Sequence, residues 1–171
     1  MNVILPRLLI AAGIIGAAVL FWVFFTRDDV ETIINQRLNE AIALVEVTGD
    51  ESPFLIIGQS RELTAYLSSE PRLNVGRPLP EMTDRNEMTG IVAQARQTLS
   101  ALSVRVVSRS IEVAGDQQSA VMDLTADATF TMAGERARER RSFRLEWVLE
   151  NNDWLISKVD LTDIESGSGH Y

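Results

Sequence analysis

Apolar positions along the chain follow three successive patterns. From Val3 to Phe25 they run almost without a break, and Leu8 to Phe25 contains no charged residue. A run of about 20 apolar residues spans the hydrocarbon core of a bilayer as a helix. It must be helical there, because lipid offers no partner to an open backbone amide. Phe21, Trp22, Phe24 and Phe25 crowd its C-terminal end, where aromatic rings favour the interface. A cleaved signal peptide would have a core of about 7–15 residues and a small-residue cleavage site. Here the core runs on into bulky aromatics and then Thr26-Arg27-Asp28-Asp29. Residues 1–26 are therefore expected to form an uncleaved single-pass anchor. Arg7 lies on the short N-terminal flank, whereas Arg27 on the other flank is diluted by Asp28, Asp29 and Glu31. That bias favours a cytoplasmic N-terminus, with the rest of the chain outside.

The second pattern has a helical period. Val30, Ile33, Ile34, Leu38, Ala41, Ile42 and Val45 predict an amphipathic helix over 29–47. Ser52-Pro53 supplies an N-cap and a first helical position for a second helix over 53–68, carrying Phe54, Ile57, Leu63, Tyr66 and Leu67. Arg72 to Val75, between Gly/Pro breaks, is expected to be a short strand. Thr83 or Asp84 caps a third helix, with Glu87 placed for a capping box and Met88, Ile91, Val92, Ala95, Leu99 and Leu102 as its stripe.

After Leu102 the period falls to two. Ser103–Val113 predicts a strand, and Ala114-Gly115-Asp116 a turn. Met122, Leu124, Ala126, Ala128 and Phe130 then alternate with Asp123, Thr125, Asp127 and Thr129, one apolar face and one wet face. Ala133-Gly134-Glu135 turns the chain. Phe143, Leu145, Trp147 and Leu149 continue the apolar face, Asn151-Asn152-Asp153 signals a tight hairpin, and Trp154–Thr162 is the last strand. Links this short join antiparallel strands. The expected class is α+β: an N-terminal transmembrane helix, then an antiparallel curved sheet covered by about three helices, most directly by the third. The domain is placed at 27–163 and a flexible tail at 164–171.

This order resembles the nuclear-transport-factor-like cone fold, also called SnoaL-like or ketosteroid-isomerase-like. The resemblance is carried by the capped helix Thr83–Leu102 running straight into Leu102-Ser103-Val104-Arg105-Val106-Val107. It is carried also by the closing phrase Trp147-Val148-Leu149-Glu150-Asn151-Asn152-Asp153-Trp154-Leu155-Ile156-Ser157-Lys158-Val159. It covers about 28–163 and implies a fold, not an activity, since the fold hosts enzymes, ligand binders, transport factors and assembly subunits. A single-span anchor before such a domain also looks like the architecture of VirB-type periplasmic assembly factors and of mycobacterial Mce-associated proteins. No motif ties this chain to either.

Composition narrows the chemistry. With 24 Asp+Glu against 16 Lys+Arg the net charge is -8, which disfavours nucleic acid as a partner. The chain has no Cys and one His, His170, so thiolate sites, multi-His metal sites and His triads are not expected. In enzymes of this fold, the resemblance places acid and base groups inside the cone. Here the residues expected to face the inside supply no His and no acid–base pair, while Tyr66, Asp84 and Glu87 have ordinary structural roles. No catalytic residue, metal site or cofactor is expected. The candidate lumen lining is Tyr66, Met122, Phe130, Phe143 and Trp147. Met82, Met88, Met122 and Met132 are expected as core filler. On the wet face Asp123 and Asp127 are about 13 Å apart, too far for a carboxylate dyad. With Arg138, Arg140, Arg144 and Glu146 they are expected to form cross-strand ion pairs, and Asp123, Asp127, Arg140 and Arg144 are the candidate interaction face. Three functions follow in order of expectation. The first is a membrane-anchored, non-catalytic binding or assembly module on the extracytoplasmic face of a bacterial inner membrane, touching lipid through its anchor and meeting a protein partner or a second copy. The second is a binder of lipid or another apolar small molecule in the lumen. The third is an isomerase- or dehydratase-like enzyme, by fold analogy alone.

Overall fold

The computed structural model of the chain describes residues 29–49, 51–76 and 79–165. The expected anchor, within 1–26, and the end of the expected tail, 166–171, lie outside the described residues. Among the described residues no helix is long and apolar enough to cross a membrane.

Among the described residues three helices and six strands follow in the order α1 (Val30–Val45), β1 (Val47–Thr48), α2 (Pro53–Thr64), β2 (Leu67–Asn74), α3 (Arg85–Thr98), β3 (Leu99–Val113), β4 (Ser119–Met132), β5 (Glu135–Glu150) and β6 (Asp153–Glu165). They form one sheet ordered β1-β3-β4-β5-β6-β2. Strands β3 to β6 make an antiparallel meander. Two of its hairpins turn on two-residue loops with positive φ at both positions, Ala133-Gly134 (51° and 84°) and Asn151-Asn152 (51° and 71°). That backbone twist matches the twist of the flanking strands.

Bulges bend the sheet. The register steps by one at Ser100 and Val107 on β3 and at Ser157 and Thr162 on β6. An extra residue on one strand sharpens local twist and curvature. It also displaces a carbonyl, and two of the bulged serines supply the missing donor. The Ser100 hydroxyl donates to the Thr131 carbonyl at 3.3 Å, and that of Ser157 to the Glu146 carbonyl at 3.1 Å.

The structure corrects the sequence expectations at several points. The second helix stops at Thr64 rather than 68, because Leu67 and Ser68 are buried as the start of β2. That strand is longer than the expected 72–75 and is parallel to β6, so the sheet is not wholly antiparallel. Its Pro71 is tolerated because it falls in the register break between Leu67 and Arg72, where the ladder with β6 asks no N–H of it. Strand β5 starts at Glu135, directly after the turn, and the charged run 135–141 is ladder, paired throughout with β4, as the expected cross-strand pairs of Arg138 and Arg140 require. The roof is shared, since α1 buries Ile34 and Leu38 in the core and α3 contributes Met88. Met132, expected in the core, is 49% exposed.

The core gathers these helix residues with Met122, Leu124, Leu145, Trp147, Trp154 and Ile156 from the sheet. Trp147 is buried with its indole N–H unpartnered among the described residues. Such an orphan costs about 1–3 kcal/mol, so the ring is kept there by the apolar area it removes from water.

Arg96, on the last turn of α3, ties the roof together. It is 4% exposed, yet it lies among the ends of three elements. Its guanidinium donates to the carbonyls of Leu44, Val45 and Glu46 at the C-terminus of α1, at 2.5, 3.3 and 3.1 Å. It also pairs with Glu51 through both carboxylate oxygens, at 2.9 and 2.5 Å, and reaches Gln59 of α2. A helix C-terminus has four carbonyls with no helical partner and a partial negative charge. Arg96 serves as its cap, and Glu51 neutralises the buried cation. Removing one member of a buried charged pair typically costs about 3–5 kcal/mol. Arg96→Met should therefore lower the unfolding free energy by about that amount, and Glu51→Gln, which keeps an acceptor, by less. Urea denaturation of the full chain in mild detergent, followed by tryptophan fluorescence, reads both. A loss below about 1 kcal/mol for Arg96→Met would show that the cap is dispensable.

Candidate functional site

The concave face of the sheet and the roof bound a half-open cavity of about 360 Å³. Its origin is visible along β4. On the lumen face the side chains shrink from Met122 and Leu124 to Ala126 and Ala128. At the wide-residue end Met122 and Trp147 fill the cup completely, at 0% and 1% exposure. At the alanine end the wall is thin, and the space is bounded by Val104 and Val106 across β3 and by Leu38, Ala41 and Val45 from α1.

Of the expected lumen residues, Tyr66 and Phe143 line the cavity, while Met122, Trp147 and Phe130 do not. Met122 and Trp147 are too large and too deep, so they plug the inner end. Phe130 is half-buried further along β4, paired with Leu102 and Ala137. Tyr66 sits in the turn after α2 rather than on a helix. Its hydroxyl donates to Glu40 at 3.1 Å, away on α1, and the Arg37 guanidinium lies 5.5 Å from its ring centroid. Burial and the Glu40 carboxylate raise its pKa above the ordinary tyrosine value. It stays a neutral wall residue whose polar end is already engaged. The Thr64 hydroxyl is also engaged, with the Ser60 and Arg61 carbonyls and the Thr89 hydroxyl.

Two charged residues outside the expected lumen lining border the cavity: Glu139 and Arg141. They pair in register with Ala128 and Ala126 and so share the lumen face. Arg141 donates through Nε to Glu139 Oε2 at 2.8 Å, and Nη2 lies 2.6 Å from the same oxygen. Side-chain exposures of 32% and 45% place the pair at the rim. Continuing the alternation of Phe143, Leu145 and Trp147 backwards would have found them. The density of charge from Glu135 to Arg141 hid it. Asp84 acts as expected, as the N-cap of α3, accepting from the Glu87 amide at 2.8 Å.

The convex face carries two ion-pair groups. Asp123 accepts from Arg144 at 2.8 and 2.9 Å. The Arg144 bond holds its carboxyl below the usual range. Asp127 accepts from Arg140 at 2.7 and 3.2 Å, from Arg105 at 3.0 Å and from Arg138. Arg105 was missed because its partner is set by the β3–β4 register, which the sequence does not show. Between the groups Thr125 and Ser142 share a hydrogen bond of 2.9 Å.

The Asp127 carboxylate is 4% exposed beneath three guanidinium groups. Its hydrogen bonds to Arg140, Arg138 and Arg105 hold its pKa far below the usual carboxylate value. A folded pKa depressed in this way adds stability above the unfolded value of about 4, and that stability is lost as the pH falls towards the folded pKa. Asp127→Asn should therefore melt below wild type at neutral pH, with the gap closing below about pH 4. Melting temperatures of both proteins across the acid range check this. A gap constant with pH would mean that the carboxylate's charge is not what matters.

No family model and no curated relative matches the sequence. Solved structures do match, and they show the fold. A nuclear transport factor 2-like superfamily protein from Salmonella enterica serovar Typhimurium is 16% identical, with a TM-score of 0.60 over 82% of this chain and 97% of that one. A protein of the calcium/calmodulin-dependent protein kinase II association-domain type from Xanthomonas campestris is 12% identical, with a TM-score of 0.65 over 82% and 92%. A scytalone dehydratase-like protein from Novosphingobium aromaticivorans is 11% identical, with a TM-score of 0.62 over 77% and 81%. The described residues therefore have the nuclear-transport-factor-like cone fold, as the closing strands suggested.

Proposed function

We propose that the domain is a binding module that holds an apolar small molecule in its cone, and that residues 3–25 anchor it to a bacterial cell membrane with the domain on the extracytoplasmic face. The observation that carries the first part is the apolar cavity of about 360 Å³. It lies within the range of about 300–1,000 Å³ common to small-molecule sites. Its wall is aliphatic and aromatic apart from Thr64, Tyr66 and the Glu139–Arg141 pair. An apolar guest would gain about 25 cal/mol for each Å² it removes from water. The second part rests on the uncharged stretch Leu8–Phe25 and its flanking charges.

A second reading, assembly with a protein partner or a second copy, has its own support. Phe54 is 90% exposed at the start of α2, beside Leu55 at 47% and Ile57 at 44%. Grouped exposed apolar residues of this kind are typical of interaction sites. An enzymatic reading draws only on fold analogy with the dehydratase-like neighbour. The described lumen offers no histidine, and its Tyr66 hydroxyl is committed to Glu40.

Filling the thin wall tests the binding reading. Ala128→Phe should weaken binding of a neutral apolar dye such as N-phenyl-1-naphthylamine at least about tenfold, or about 1.4 kcal/mol, with the far-ultraviolet circular dichroism unchanged. Phe54→Ser should leave dye binding as in wild type. Equal dye binding by wild type and Ala128→Phe would remove the lumen as the site. For the anchor, fractionation of cells expressing the full chain should place it in the membrane pellet, resistant to carbonate extraction, whereas a chain starting after residue 26 should be soluble. A full chain released by carbonate would contradict a spanning segment.

A further inference from the structure

On the convex face, hydrogen-bond donors outnumber acceptors at one end of the sheet. We infer that this end binds a phosphate group, a doubly charged oxyanion that accepts hydrogen bonds and needs no acceptor in return. The site lies on the opposite face from the lumen and does not rest on the reading proposed above.

The alternation of β4 and β5 builds the surface. Thr129 pairs in register with Arg138 and Thr131 with Arg136, on the face that also carries Asp127 and Arg140. Arg136 lines an open hollow with Thr129, Thr131 and Ser103, bounded by β1 and the edge of β3. Among the described residues the Arg136 guanidinium makes no ion pair or hydrogen bond, and the Thr129 and Thr131 hydroxyls make no hydrogen bond. Arg138 follows about 7 Å along the strand on the same face. It and Arg105 each reach Asp127 through Nη2 alone, and both meet the same oxygen, Oδ2. Two guanidinium groups bonded to one oxygen are near enough to share a second anion. Each has five N–H donors and spends one, and the side chains are 72% exposed at Arg105 and 60% at Arg138.

Charge points the same way. Arg105, Arg136, Arg138 and Arg140 stand among two described carboxylates, the buried Asp127 and, in the hollow, Glu46. Glu46 is engaged by the Ser103 hydroxyl and the Val104 amide, both at 3.2 Å. With Glu165 opposite Arg140 in the β5–β6 register, cations still exceed anions, on a chain whose net charge is -8. A carboxylate brings one negative charge and two acceptor atoms. A phosphate monoester brings about two charges and three acceptor oxygens, and guanidinium holds phosphate through paired N–H bonds. Asp127 has a part in this. It gathers Arg105, Arg138 and Arg140, which would otherwise repel one another, so an incoming anion has little left to order.

Titration of the nitrogen-15-labelled full chain in mild detergent with inorganic phosphate, at neutral pH and constant ionic strength, tests this. The amide shifts of Thr129, Thr131, Arg136 and Arg138 should move and saturate. Arg136→Gln removes no contact among the described residues, and it should weaken binding at least about threefold, as loss of one exposed charge contact does. Arg136→Gln combined with Arg138→Gln should abolish saturation. Arg144→Gln, on the same face but paired with Asp123, should bind as wild type does. A second titration, with phosphatidic acid doped into the micelles, separates the two sources of phosphate. Saturation by inorganic phosphate assigns the site to a soluble phosphate, and saturation by the lipid alone assigns it to a headgroup. Absence of saturating shifts in both titrations overturns the inference. So does undiminished binding by the double variant, or an equal response to acetate.

Discussion

The architecture depends on a buried cation. Arg96 reaches from the end of α3 to the carbonyl end of α1, to Glu51 and to Gln59 of α2, and so fixes three helices relative to one another at a single point. Leucine there could fill the volume, but it could not satisfy three helix-end carbonyls. The consequence is mechanical. A roof held by hydrogen bonds at its edge does not have to be filled from below, and the space beneath α1 persists where the sheet offers only Ala126 and Ala128.

Curvature comes from a separate device. Bulges at Ser100, Val107, Ser157 and Thr162 bend the long strands. One consequence is a change of face on β3. Before Val107 the even-numbered Val104 and Val106 pair with Ala128 and Ala126, and after it the odd-numbered Ile111 and Val113 pair with Met122 and Ala120. The bulge thus keeps apolar side chains on the concave side along the whole strand. On the convex side, Asp127 beneath Arg105, Arg138 and Arg140 lets four strongly charged residues share three adjacent strands. Filled core at one end, hollow at the other and a charge-paired outer surface all follow from side-chain size and alternation on the same strands.

Much of this was legible in the sequence, where periodicity is strong. The helix behind Asp84, the alternation of β4 and the Asn151-Asn152 turn each declare themselves through local rules of capping, pleat and positive φ. Three things escaped. Strand β2 pairs in parallel with β6, with three other strands between them in the chain, and no local signal marks so distant a partner. Arg96 reads as an ordinary helix-surface residue until the neighbouring helix end is known. Glu139 and Arg141 belong to the lumen face by simple alternation, but the run from Glu135 to Arg141, charged at every position except Ala137, does not look like the wall of an apolar lumen. The cavity itself was half visible: the step from Met122 and Leu124 to Ala126 and Ala128 is in the sequence, but reading it as space requires knowing that α1 does not descend to fill it.

A binding role requires that this space be real and apolar, and xenon reports on it directly. Xenon enters empty apolar cavities and leaves filled cores untouched. A crystal of the protein pressurised with xenon should show a strong site among Ala41, Val104, Ala126 and Ala128, and none beside Met122 and Trp147. No xenon at that position, with the α1 side chains collapsed against the two alanines, would contradict the account.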